Sequence, residues 1–362
     1  KYIYQINNSI ERTSYTISTG IIKSDCIMTA KLTKALDNNI EIKHLKKSIK
    51  KAKTVFLMAH KNLDLDAIGS CLGMYYILSN LKKDCYIIID DKDKEMGVDK
   101  VLHEVEGCYN IIKSSDLPIY LNKKQKNNLL IILDTNKKDL LQNKECLDYF
   151  KQILIIDHHE QGKTTIKDVM KLIDSNFSSA CELVVKISEL FNIEFTPYIA
   201  TLLLSGIVLD TNNFTLNTDD NTFYTAYYLT AIGASPKKVQ YLLKQELSDY
   251  IEQQKLLTNI EMLDKKIAIA KGTPYVTYRR EDLAKTADTL LFFNNVEASF
   301  VIGKIGKTTI GISARSLGNY DIEKILIKFG GGSNKYNGAA IIENKNISEV
   351  LEKLRRLLKE EE

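Results

Sequence analysis

The 362-residue chain has no tryptophan. Heavy use of Lys, Asn and Ile accompanies that absence, and both read as coding bias of an AT-rich genome rather than a structural demand. The six cysteines (Cys26, Cys71, Cys85, Cys108, Cys146 and Cys181) are scattered without a C-x-x-C pair. Zinc-finger and disulfide frameworks are therefore disfavoured, and a reducing cytosol fits. No apolar run approaches the ~20 residues that cross a bilayer, and there is no signal peptide. The chain starts at Lys1 rather than Met, so this says nothing about a longer parent protein. A G-x-S-x-G elbow is missing, which removes support for acyl transfer. Charge of one sign is also lacking. A net +4 does not build a duplex-binding surface, although it suits a small anionic substrate.

What is present is ordinary in bulk, with 44% hydrophobic and 27% charged residues, as in a soluble globular protein. The length predicts two domains. Lys1–Ile6 reads as an edge strand, Asp25–Leu36 as a helix, and Ile40–Lys53 as a basic amphipathic helix whose lysines solvate a surface. From Thr54 onward, short β-rich runs alternate with helical stretches, the pattern of βαβ units and a mostly parallel sheet. The runs are 54–59, 85–89, 129–133 and 152–156. Residues 201–209 read as a further buried run. Pro236–Asp264 predicts one long helix, a connector between domains or a dimer face. Beyond Lys266, strands at 267–270, 275–278, 298–305 and 308–314 mix with helices at 321–329 and 347–358, which implies a small α+β domain.

Ionisable residues gather where the apolar runs stop. Thr54–Ala59 is followed by His60, Asp64 and Asp66, Leu129–Leu133 by Asp134, Ile153–Ile156 by Asp157, His158 and His159, and 201–209 by Asp210. Three of the five histidines fall in these stretches. A lone Asp after a strand is usually a turn or cap residue, and Asp66 alone reads as a helix cap. Their recurrence at strand ends, where ligands bind in open α/β sheets, favours a metal site. Imidazole with carboxylate suits Mn²⁺, and a set this large can serve two ions. Two metals ~3.5–4 Å apart clamp the attacking and leaving oxygens of a phosphoryl centre. Ser178 or Ser179 could cap the helix that follows, whose amides could also hold a phosphate.

The His60, Asp64 and Asp66 spacing, with Asp134, the Asp157–His159 run and Asp210, resembles the four motifs of the DHH phosphoesterases across residues 54–214. Ser313–Ser316 and Gly330–Gly332 resemble the accompanying DHHA1 substrate-binding domain. Residues 60–69, 207–214 and 312–318 look like the GdpP subgroup of membrane-tethered cyclic-di-AMP phosphodiesterases. The resemblance implies an α/β DHH domain with a helix-flanked, mostly parallel sheet, plus a smaller α+β DHHA1 domain. The expected division is 1–30 as an upstream tail or lead-in, 31–235 as the catalytic domain, 236–265 as a connecting helix and 266–362 as the substrate-binding domain.

The resemblance further implies that His60, Asp64 and Asp134 hold one Mn²⁺, while Asp66, Asp134, His158 and Asp210 hold a second. A hydroxide bridging the ions would be the nucleophile. Asp157 would orient the neighbouring imidazole, and His159 would face the scissile phosphate or leaving oxygen. Arg315 would clamp a phosphate, with Ser316, Gly331 and Gly332 beside it. The family's glycine motif is followed by His, where this chain has Ser333, so Asn334, Lys335 or Asn337 would supply that contact instead, with Ser333 beside them among the expected substrate-binding residues. Expected partners are a cyclic dinucleotide substrate, a second copy of the chain and no duplex nucleic acid. The expected location is the cytoplasm, on the membrane's cytoplasmic face if the full-length protein is tethered. A hydrolase of short linear nucleotides or pAp, and a nucleotide-binding regulatory module with weak catalysis, are the alternatives.

Overall fold

A computed structural model of the chain describes residues 40–90, 94–121, 127–162, 164–333 and 335–360. The expected elements at 1–6 and 25–36, the 1–30 tail, Cys26 and Asn334 lie outside the described residues. The chain divides into two compact units between Lys244 and Gln245.

The first unit opens with α1 (Ile40–Lys51), β1 (Thr54–Met58), α2 (Leu65–Asn80), β2 (Asp84–Ile88), α3 (Met96–Glu104), β3 (Ile111–Ile112) and α4 (Leu117–Tyr120). It continues with β4 (Asn128–Leu133), β5 (Ile153–Asp157), β6 (Met170–Ile173), α5 (Ala180–Leu190), α6 (Pro197–Asp210), α7 (Asp220–Ala231) and α8 (Pro236–Leu242). The six strands form one parallel sheet in the order β3-β2-β1-β4-β5-β6. Chain direction across the sheet reverses between β1 and β4. In open α/β sheets, the crevice at the carboxyl end of that reversal is where ligands bind.

The continuous apolar runs follow from burial on both faces. Val55 and Leu57 enter one core cluster with Leu129, Ile131 and Leu133, whereas Phe56 and Met58 enter another with Leu130 and Ile132. Residues 201–209 are not a strand. They belong to helix α6, which is buried from Ile199 to Val208. A helix buried on every side loses the periodic polar face that would mark it as helical.

The second unit holds α9 (Leu247–Leu256), β7 (Ile260–Leu263), β8 (Ile267–Lys271), α10 (Arg280–Leu290), β9 (Ala298–Lys304), β10 (Thr309–Ser316), α11 (Ile322–Ile327), β11 (Gly332–Ser333), β12 (Asn337–Glu343) and α12 (Ile347–Glu360). Its mixed sheet runs β11-β12-β10-β9-β8-β7. The long helix expected over 236–264 is not formed. Helices α8 and α9 are separated by residues 243–246, and 260–263 is strand β7. Residues 275–278 are likewise no strand, and only Thr277 bridges to Lys304. None of the helices among the described residues is long and apolar enough to cross a membrane.

Candidate metal centre

Four segments of the first unit deliver the site. His60 follows β1, Asp134 follows β4, Asp157 ends β5 with His158 and His159 behind it, and Asp210 ends α6. Asp134 leaves its strand in the left-handed region, φ +59°, a conformation that Asp tolerates better than most residues. Its N–H still pairs with Ile156 O, so the turn is anchored to the neighbouring strand.

Asp134 is common to three groups of side chains whose donor atoms lie within 4.8 Å of one another. One is His60, Asp64 and Asp134; the second is Asp66, Asp134, His158 and Asp210; the third is Asp134, Asp157, His158 and His159. His60 Nε2 stands 3.2 Å from Asp134 Oδ2 and 3.5 Å from Asp64 Oδ2. On the other side His158 Nε2 is 3.1 Å from Asp210 Oδ2 and 3.4 Å from Asp134 Oδ1.

Several acids are crowded here, with Asp66 and Asp134 buried. Burial, then the charges of Asp134 and Asp210, push the Asp66 carboxyl well above its usual pKa. Burial also pushes Asp210 up to about 6, against the pull of His158. Burial opposes ionisation of Asp134 too, but the facing His158 and His60 outweigh it and hold that carboxyl well below the usual range. Burial works against imidazolium at His60 and His158, yet the surrounding carboxylates raise both. Such a cage could hold cations, since buried like charges are costly unpaired. Asp134 Oδ1 and His158 Nε2 fit that role, because both are buried without a hydrogen-bond partner. A nitrogen lone pair and a carboxylate oxygen facing one point are a donor set for a divalent ion of the Mn²⁺ or Zn²⁺ class.

The two motif aspartates have second duties. Asp64 caps α2, with Oδ1 accepting the Ala67 N–H at 2.9 Å. Asp66, read from sequence as a local cap, instead accepts the N–H groups of Ala180 and Cys181 at the start of α5. That helix start is therefore not open to a phosphate. Ser179 caps it through the Glu182 N–H, and the Ser178 hydroxyl donates to Glu182. Both serines are buried, which removes them as substrate contacts. Gly206 and Gly69 allow the three helices to meet. A Cβ at 206 would stand 2.5 Å from Cys181 Sγ and 2.7 Å from Asp66 Oδ1.

Asp157 bonds His159, whose Nδ1 lies 2.8 Å from Asp157 Oδ1. The His159 side chain is 51% exposed, so it can meet a ligand. Sequence reasoning missed Asn136 and Thr165, which stand behind Asp157, and Gln142, which donates to His60 O at 2.7 Å. Only the position of Asn136, two residues past Asp134, was a signal.

Arg315, Ser316, Gly331 and Gly332 belong to the second unit. Arg315 Nε donates to Asp288 Oδ1 at 2.5 Å and its Nη1 to Ala314 O. Ser316 Oγ accepts the N–H groups of Gly318 and Tyr320. The Gly331 N–H, expected to approach a phosphate, donates to Leu326 O instead. A Cβ there would meet Ala339 O at 2.2 Å. Gly332 and Ser333 pair with Ala339 and Gly338.

Residues 54–207 match the model of the DHH family, N-terminal domain. The chain carries a DHH-family domain. It is 34% identical over 319 residues to the cyclic-di-AMP phosphodiesterase PdeA of Listeria monocytogenes, covering 86% of this chain and 48% of that protein. The chain thus spans about half the length of the cyclic-di-AMP phosphodiesterases it matches. A bifunctional oligoribonuclease and PAP phosphatase, NrnA of Mycoplasma genitalium, is 25% identical, with 84% of this chain and 93% of that protein covered. Among solved structures, an exopolyphosphatase-related protein from Bacteroides fragilis superposes with a TM-score of 0.70 at 20% identity, over 88% of this chain and 96% of that one. The last likeness establishes the fold.

Proposed function

We propose that this DHH domain is the catalytic part of a Mn²⁺-dependent phosphodiesterase that opens cyclic di-AMP to linear pApA. The observation that carries the reading is Asp134, one buried carboxylate common to every donor group of the cage. His60, Asp64 and Asp134 would hold one ion; Asp66, Asp134, His158 and Asp210 would hold the other. A pair of bound divalent ions supplies an acidified water and neutralises charge on the phosphoryl centre.

The chain's own groups do the rest. Asp134 spans the two donor sets without a competing hydrogen bond at Oδ1. His159, tied through Nδ1 to Asp157, offers Nε2 to hold or hand over a proton at the leaving oxygen. Arg315 is held by Asp288 through Nε and Nη2 and by Ala314 O through Nη1, so it would exchange part of this hold for a phosphate, an anion that guanidinium binds bidentately. Identity to PdeA over most of the chain supports the cyclic dinucleotide as substrate, and a cytoplasmic location goes with it.

The second reading, hydrolysis of short linear nucleotides or pAp, is favoured by the near-complete coverage of NrnA. Incubation with Mn²⁺ and separate cyclic di-AMP, cyclic di-GMP, pApA and pAp separates the two. Preferred turnover of cyclic di-AMP supports the proposal, and preferred turnover of pApA or pAp supports the second reading. Binding without turnover makes the domain a regulatory module.

A further inference from the structure

A directed chain of hydrogen bonds runs from a loop amide to the ring of His159. The Gly162 N–H donates to Thr165 Oγ1 at 2.8 Å. Thr165 Oγ1 then gives its own hydrogen to Asn136 Oδ1 at 2.9 Å. With Oδ1 accepting, Asn136 Nδ2 is the donor, to Asp157 Oδ2 at 2.6 Å and to His159 O at 3.0 Å. Asp157 Oδ1 accepts the His159 N–H at 3.1 Å and faces His159 Nδ1 at 2.8 Å.

The polarity of this chain is set at both ends. A backbone N–H can only donate, and an ionised carboxylate can only accept. The Asn136 amide therefore has one orientation, with Nδ2 on Asp157 Oδ2, which leaves Asp157 Oδ1 to the His159 main-chain N–H and ring Nδ1. Asn136 and Asp157 are fully buried and Thr165 nearly so, so water does not compete for these bonds. The Ile166 N–H to Asn136 O bond fixes the backbone behind the amide. His159 Nε2 has no hydrogen bond among the described residues.

We propose that Asn136 is a positioning residue for the reaction. It locks the Asp157 carboxylate, and through it the tilt and tautomer of the His159 ring, with Thr165 holding Asn136 in register. Without the Asn136 amide, Asp157 Oδ2 is buried with no donor. The carboxylate can then rotate, and the ring can place its single hydrogen on either nitrogen. The inference rests on His159 facing the leaving oxygen, as the functional reading has it.

The test uses the full chain with Asn136→Ala, Thr165→Val and Thr165→Ser. In metal-free protein at alkaline pH, where the rings are neutral, ¹⁵N NMR of the histidine rings, assigned with His159→Gln, should show His159 protonated at Nδ1 in wild type and mixed in Asn136→Ala and Thr165→Val. With Mn²⁺ and cyclic di-AMP, kcat should fall about 10- to 100-fold in those two variants, the usual cost of losing such a supporting bond. KM and the affinity for Mn²⁺ alone should stay within about threefold. Thr165→Ser should restore both the tautomer and kcat. An unmoved tautomer overturns the proposal, as does Mn²⁺ affinity falling in step with kcat, or Ser performing no better than Val. Should Asn136→Ala not fold, Thr165→Val carries the same decision. If wild type leaves cyclic di-AMP intact, the functional reading fails, while the NMR comparison still decides this one.

Discussion

Asp66 accepts the backbone N–H of Ala180 at 2.7 Å, across 114 positions of sequence. Its other oxygen takes the next amide, that of Cys181, at 2.8 Å. One carboxylate thus joins the start of α2 to the start of α5 while facing His158 and Asp134. Neither orientation of an amide side chain can accept from both backbone groups, so Asp66→Asn is not a conservative change here. The variant should lose part of its divalent-ion binding, read by titration with Mn²⁺. Its Ala180 and Cys181 amides should exchange hydrogen at least about tenfold faster. Unaltered exchange would mean that the carboxylate does not hold that helix start in solution.

Asp134→Ala removes the one group common to all three donor sets. Turnover should fall by at least about 1,000-fold, in line with the loss of metal-assisted catalysis. Metal content after dialysis should drop alongside it. A variant that keeps its full metal content and still turns over would exclude the shared role.

Gly206→Ala places a methyl group 2.5 Å from Cys181 Sγ and 2.7 Å from Asp66 Oδ1. Relief requires α2, α5 or α6 to move, at a cost of about 1–3 kcal/mol in urea unfolding, with weaker Mn²⁺ binding. Gly162→Ala is the control, because a Cβ there meets nothing within 4 Å. Equal stability of the two variants would show that the helices tolerate the extra volume.

Ion uptake should depend on pH with a definite sign. His60 and His158 have raised pKa values, and Asp210 is pushed up to about 6, so the ion-free cage holds extra protons. A cation displaces them, which makes affinity rise as pH rises through the range near and above 6. Calorimetry in buffers of different ionisation enthalpy should report release of about one proton or more near pH 6.5. Zero release would mean that the imidazoles are already neutral.

Arg315→Ala should raise KM about tenfold with kcat little changed if the guanidinium grips ground state and transition state alike. An unchanged KM leaves Arg315 with the Asp288 pair and no phosphate contact.

The parallel sheet was readable because its strands are buried on both faces and stand out as unbroken apolar runs. The ionisable residues beyond them were readable because short chain segments carry them. Asp210 was seen as a strand-end residue only because α6, buried all round, shows no helical period. The partners of Asp66 and Asp157 were beyond reach for another reason: Asn136 meets Asp157 across 21 residues and Thr165 across 29. Nothing local distinguishes that asparagine from a turn residue. In the second unit, the glycine run suggested exposed backbone, while Gly331 is used for a close approach to β12.

The start of α2 is closed by Asp64, and the start of α5 by Asp66, two side chains that also face the cage. Starving the molecule of divalent ions would therefore reach past its chemistry. Like charges would press on two helix ends at once, and nearby peptide bonds would become easier prey for proteases. Ion supply would then govern how long each copy lasts as well as how fast it works.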